Sequence, residues 1–144
     1  MAESRAARVT RYLERHTAWM RAVLAELDAL AAAMDGGDVG SLLEEQGRRT
    51  REAEHFLREH TGLLREWDGG AGAPEEDRAA VRALAAEAGA LAERLTGRYE
   101  ALLDASTAAR SRNRAALDTL RRGRDMMRKY RPGGDGADYL DRKA

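Results

Sequence analysis

Few residues in this chain have the type and spacing that chemistry requires. Glu52 and His55 stand three apart, the Glu-x-x-His spacing of carboxylate-bridged di-iron bundles. Such a centre needs that pair twice, with two further glutamates on facing helices, and the sequence holds a single copy. His55 and His60 are five apart and point to different faces of a helix, and no His-Glu-x-x-His run occurs. The histidines therefore read as surface or seam residues. Nucleophilic chemistry has no cysteine to use and no serine in a recognisable turn motif. Gly69-Gly70-Ala71-Gly72 lacks the lysine and Ser/Thr of a phosphate loop. The expectation is a protein that is not an enzyme, with no catalytic residue, cofactor or metal.

The composition points to helices. Of 144 residues 62 are apolar, but 29 of those are alanine, and isoleucine is absent. Alanine raises helix propensity while adding little buried area. The β-branched and aromatic residues that strands favour are scarce. The chain thus has large side chains enough for narrow helix seams and too few for a thick core. Without cysteine there is no disulfide framework. The polar start, and the lack of any apolar run near the roughly 20 residues that span a bilayer, argue against secretion and membrane insertion. Twenty-five basic residues balance 25 acidic ones, which disfavours general nucleic-acid binding.

Three helices are expected, at about 4–34, 39–68 and 75–130. Val9, Leu13, His16, Met20, Val23, Leu27, Leu30 and Met34 alternate steps of four and three, a heptad seam. Gly36-Gly37 stops that helix and Asp38 is a suitable N-cap for the next. Leu43, Gln46, Thr50, Ala53, Leu57, His60, Leu64 and Trp67 form the second seam, so the short link predicts an antiparallel hairpin. Asp68–Pro74 is a break, with Glu75, Glu76 and Asp77 suited to the positive end of a new helix. From Glu75 to about Tyr130 nothing forces a stop, which gives roughly 84 Å if unbroken, with a third seam running from Val81 through Leu95, Tyr99, Leu102, Leu120 and Met127 to Tyr130. The stretch from Ser106 to Asn113 is poor in seam residues and marks where a bend would fall.

The expected architecture is therefore all-α: a helical hairpin plus a long third helix, a coiled-coil-like three-helix bundle whose C-terminal half-helix protrudes or flexes. Residues 1–131 would form a single domain, and 132–144 a short flexible tail. The distal half of the third helix has no partner inside the chain and would meet solvent, another copy or a client.

Charge sharpens that expectation. Residues 105–131 carry nine basic and two acidic side chains, so the neutral total hides a strongly cationic segment. The helix dipole favours cations in the last turn, which accounts for Arg124, Arg128, Lys129 and Arg131 but not for Arg110, Arg112 and Arg114. Phosphate-backbone binding is one use of such a segment, weakened by the missing interleaved aromatics. Capture of an amphipathic partner helix is the better-supported one: Leu117, Leu120, Met126, Met127 and Tyr130 supply apolar anchors, Asn113 a polar register-setter, and Arg110, Arg114, Arg121 and Arg124 orientation. The paired methionines suit unlike surfaces. A homodimer through the same seam, or a structural coiled coil, is the competing use.

Asn113 with Leu117 and Leu120, then Tyr130-Arg131-Pro132-Gly133, a Gly/Asp spacer, and Tyr139-Leu140-Asp141-Arg142-Lys143-Ala144, resembles the ending of FlgN-type flagellar export chaperones. The FliT-type chaperone of the filament cap is a close second resemblance. The resemblance covers about the last 32 residues, with only helical character beyond them. It implies a small cytoplasmic helical chaperone that engages hook-filament junction or cap subunits through its C-terminal helical region. Such a protein keeps its client export-competent and delivers it to the flagellar type III secretion apparatus.

Overall fold

The computed structural model describes residues 3–34, 40–108 and 114–130, the side chains of 106–108 and 114–116 excepted. The chain is all-α: among the described residues there are four α-helices and no strand. They are α1 (Arg5–Ala33), α2 (Gly40–Trp67), α3 (Glu75–Ala108) and α4 (Arg114–Arg128), with a 3₁₀ turn at Asp68–Gly70. The expected Gly36-Gly37 stop, the Asp38 cap and the 132–144 tail lie outside the described residues.

Helix α1 starts where the Ser4 hydroxyl accepts a hydrogen bond from the Ala7 amide at 3.1 Å, satisfying one of the amides that a helix start leaves without an internal partner. Its heptad seam is the buried face: Val9, Leu13, Met20, Val23, Leu27 and Leu30 are each about 1% exposed or less. Helix α2 returns against it. Ion pairs such as Arg49–Glu26 (2.7 Å), and the Trp19 Nε1 donation to Glu52 (3.2 Å), set the register. Trp67 closes the far end of this seam. The break follows at once, with Asp68, Gly69, Gly70 and Gly72 all at positive φ. Gly70 is required there: a Cβ would crowd the Trp67 ring and the Arg78 side chain, on a backbone at φ 80°. Arg5 donates to the carbonyls of Glu66 (3.0 Å) and Ala71, tying this turn to the start of α1. Pro74 precedes α3, and its carbonyl receives the Arg78 amide at 3.1 Å.

The third helix is where the structure departs from the sequence expectation. A continuous helix would set Gly123 roughly 36 Å beyond Tyr99, yet Gly123 lies directly against the Tyr99 ring. The helix ends at Ala108, within the seam-poor stretch, and α4 folds back along α3. Helix α1 packs against α2 and α3, and α4 packs against α3 and α2, so a fourth helix stands where three with an overhang were expected. The reason is energetic. An unpartnered half-helix would leave Leu120, Met127 and Tyr130 in water, whereas burial of each large apolar side chain is worth about 1.5–3 kcal/mol. Turning back offers them α3 and α2 instead.

Candidate functional site

The six expected client-contact residues are distributed unevenly. Leu120 and Met127 are 1% exposed, Tyr130 2% and Met126 8%, and Leu117 is half-buried against the same core. They form the docked face of α4, so the partnerless seam is corrected: its partners lie within the chain. Asn113 and Arg110 fall outside the described residues. Arg114 opens α4. Arg121 and Arg124 stand at the surface beside Asp118 (3.9 Å) and Asp125 (3.0 Å), and Arg128 reaches Glu100 on α3 at 2.7 Å. Much of the cationic character of α4 is thereby matched by carboxylates.

Two anchors hold α4 in place. Gly123 presents bare backbone to Tyr99, whose hydroxyl donates to Gln46 Oε1 on α2 at 2.8 Å. One close approach thus joins α2, α3 and α4. Burial raises the Tyr99 phenol well above its ordinary range, with Glu26 adding to the effect, so it remains a neutral donor. The second anchor is Tyr130, just past the end of α4, whose hydroxyl donates to the Ala53 carbonyl at 2.7 Å.

Tyr130 also covers a cluster that sequence reasoning missed. His16 and His60 are 1% and 3% exposed. The Tyr12 hydroxyl lies 3.2 Å from His16 Nδ1 and 3.0 Å from His60 Nδ1. Its oxygen accepts from at least one of the two rings, since it has a single proton to give. Phe56 stacks on His16 with ring centroids 5.0 Å apart, and Tyr130 meets the same imidazole edge-on at 4.5 Å. Burial pushes the His16 imidazole down to about 3, helped by His60 and Arg15. Tyr12 is driven strongly upward by burial, then by Tyr130 and Glu59. A signal for this pairing was present in the sequence. Both histidines are seam residues equidistant from Asp38, so an antiparallel hairpin places them opposite one another.

Glu52 and His55, the spacing that suggested metal, do not converge on a ligand set. Glu52 receives Trp19 and is paired with Arg48 (3.3 Å) and Arg49 (3.0 Å), while His55 is exposed. Among the described residues no group of three or more His, Cys, Asp or Glu side chains is placed to hold a metal. The surface formed by the described residues includes two depressions. One, of about 370 Å³, lies on α2 at Arg48, Arg51, Glu52, His55 and Phe56. The other, of about 260 Å³, lies between α1 and α3 and is walled mainly by Leu27, Met34, Leu102 and alanines. Neither joins a nucleophile to a base. No described helix is long and apolar enough to cross a membrane. Comparison of the chain with protein-family models, curated proteins and solved structures finds no match.

Proposed function

We propose that this protein is a flagellar export chaperone of the FlgN/FliT kind. It would hold an amphipathic helix of a hook-filament junction or filament-cap subunit in the cytoplasm and pass it to the type III export apparatus. The observation that carries the proposal is the C-terminal pattern from Asn113 to Ala144, whose described part, from Arg114 to Tyr130, is largely the separate amphipathic helix α4. Helix α4 concentrates its apolar side chains on one face, and two of them are the adaptable Met126 and Met127. That face cannot meet the bundle and a client at once. Client capture therefore requires α4 to leave α2 and α3 and to offer Leu117, Leu120, Met126, Met127 and Tyr130 to the new helix, with Arg121 and Arg124 choosing its orientation.

Co-expression of the full chain with junction and cap subunits tests this directly. A 1:1 complex surviving gel filtration supports the proposal, and failure to retain any of these subunits refutes it. Nucleic-acid binding by residues 105–131 is the weaker alternative, because no aromatic residue interleaves with its arginines before Tyr130 and the rest of the chain is acidic. It predicts steeply salt-dependent DNA binding. Dimerisation through α4 would show as a mass twice that of the chain in light scattering.

A further inference from the structure

We propose that His16 and Tyr130 form an acid-sensitive latch: protonation of the buried imidazole drives away the end of α4 that covers it. The inference rests on the geometry of the cluster and stands whether or not α4 captures a client.

Each group that faces His16 leaves an imidazolium there without compensation. From α1, Tyr12 can accept a proton-bearing Nδ1 but is neutral, and Arg15 is a cation. From α2, His60 is a second imidazole, Phe56 stacks flat on the ring, and the nearby carboxylate, Glu59, is committed to Arg15. Trp19, 6.0 Å away, gives its N–H to Glu52 and so holds that carboxylate at its own ring. The buried polar side chains of α3, Thr96 and Tyr99, are bonded to Ala92 (2.9 Å) and Gln46 (2.8 Å). From the end of α4 come Tyr130, neutral and edge-on, and the exposed cations Arg128 and Lys129. The Nε2 atom of His16 is buried and has no hydrogen-bond partner. A charged N–H at that point is desolvated and unpaired, a state that buried charges avoid.

Water is the available remedy, and Tyr130 is the movable wall. Helices α1 and α2 are joined by the hairpin seam and by the Arg49–Glu26 and Arg15–Glu59 pairs. Tyr130 is held by its hydroxyl bond to Ala53, by an amide bond to Met127 (3.1 Å) and by ring contacts, at the end of a 15-residue helix whose last turn reaches α3 through the exposed Arg128–Glu100 pair. Release of that end hydrates His16 without opening the hairpin.

Hydrogen–deuterium exchange of the full chain between pH 6 and pH 4, corrected for the intrinsic exchange rate, reads the latch directly. Opening coupled to uptake of one proton increases about tenfold per pH unit between the ordinary histidine range and the depressed value, so protection of residues 114–130 should fall about a hundredfold across the window. Protection in α1 should persist meanwhile. In His16→Phe, which keeps a ring and removes the titration, the α4 slope should vanish. The latch is overturned if wild-type α4 keeps its protection, if all four helices lose theirs together, or if His16→Phe retains the slope. The wild-type comparison of α4 with α1 decides the matter even where the variant folds poorly.

Discussion

Two helical glycines should respond to the same substitution with opposite signs. In a helix interior, glycine to alanine ordinarily stabilises by about 0.8–1 kcal/mol. At Gly97 on α3 an added Cβ meets nothing within 4 Å, so Gly97→Ala should show that full gain. At Gly123 on α4 the added methyl falls inside the contact distance of the Tyr99 ring. Tyr99 is 2% exposed and pinned by its bond to Gln46, so it has no room to yield. Overpacking costs about 1–3 kcal/mol. A Tyr99 hydroxyl pushed off Gln46 would leave a buried polar group unpaired, at about 1–3 kcal/mol more. After the propensity gain, Gly123→Ala should lose about 2–3 kcal/mol. The two variants would then differ by roughly 3–4 kcal/mol, on the order of 10 °C in Tm for a chain of this size. Urea titration followed by far-UV circular dichroism measures both. If Gly123→Ala were as stable as Gly97→Ala, Gly123 would not be the seat of Tyr99 and the docking of α4 described above would be wrong.

Two further outcomes can be checked on the same material. Ser4→Ala removes the N-cap of α1 and should cost about 1 kcal/mol in a denaturant titration, with Ser4→Asp restoring most of it. The stability profile with pH follows from His16. Its folded-state pKa lies below the ordinary 6.5, so its contribution is fully present above pH 6.5 and is lost progressively as pH falls toward about 3. By pH 5 the loss should be about 2 kcal/mol, and thermal melts of the wild type should decline across this range more steeply than those of His16→Phe. Equal declines would show that His16 does not carry a buried neutral ring.

The positions of the first two helices, the start of the third and the faces they bury were legible in the sequence because they depend on spacing. The seam from Val9 to Leu30 is the core face of α1, and the Asp68–Pro74 break is the observed turn with its run of positive φ. Ser106–Asn113 was legible as a weak stretch, since poverty of apolar residues is a local property. Spacing also recorded which residues of the distal segment would be buried: Leu120, Met127 and Tyr130 sit on the apolar side of α4.

What buries them was decided by tertiary structure. A heptad seam states that a face must be covered and does not say by what. An outside helix, a second copy and the chain's own α2 and α3 present equivalent apolar stripes. The choice depended on two fits across elements that lie far apart in sequence, bare backbone at Gly123 against Tyr99 and the Tyr130 hydroxyl at Ala53. The histidine cluster has the same origin. Two imidazoles 44 residues apart become one desolvated group when the hairpin closes and α4 lays Tyr130 over them, and the low pKa of His16 is a property of that enclosure.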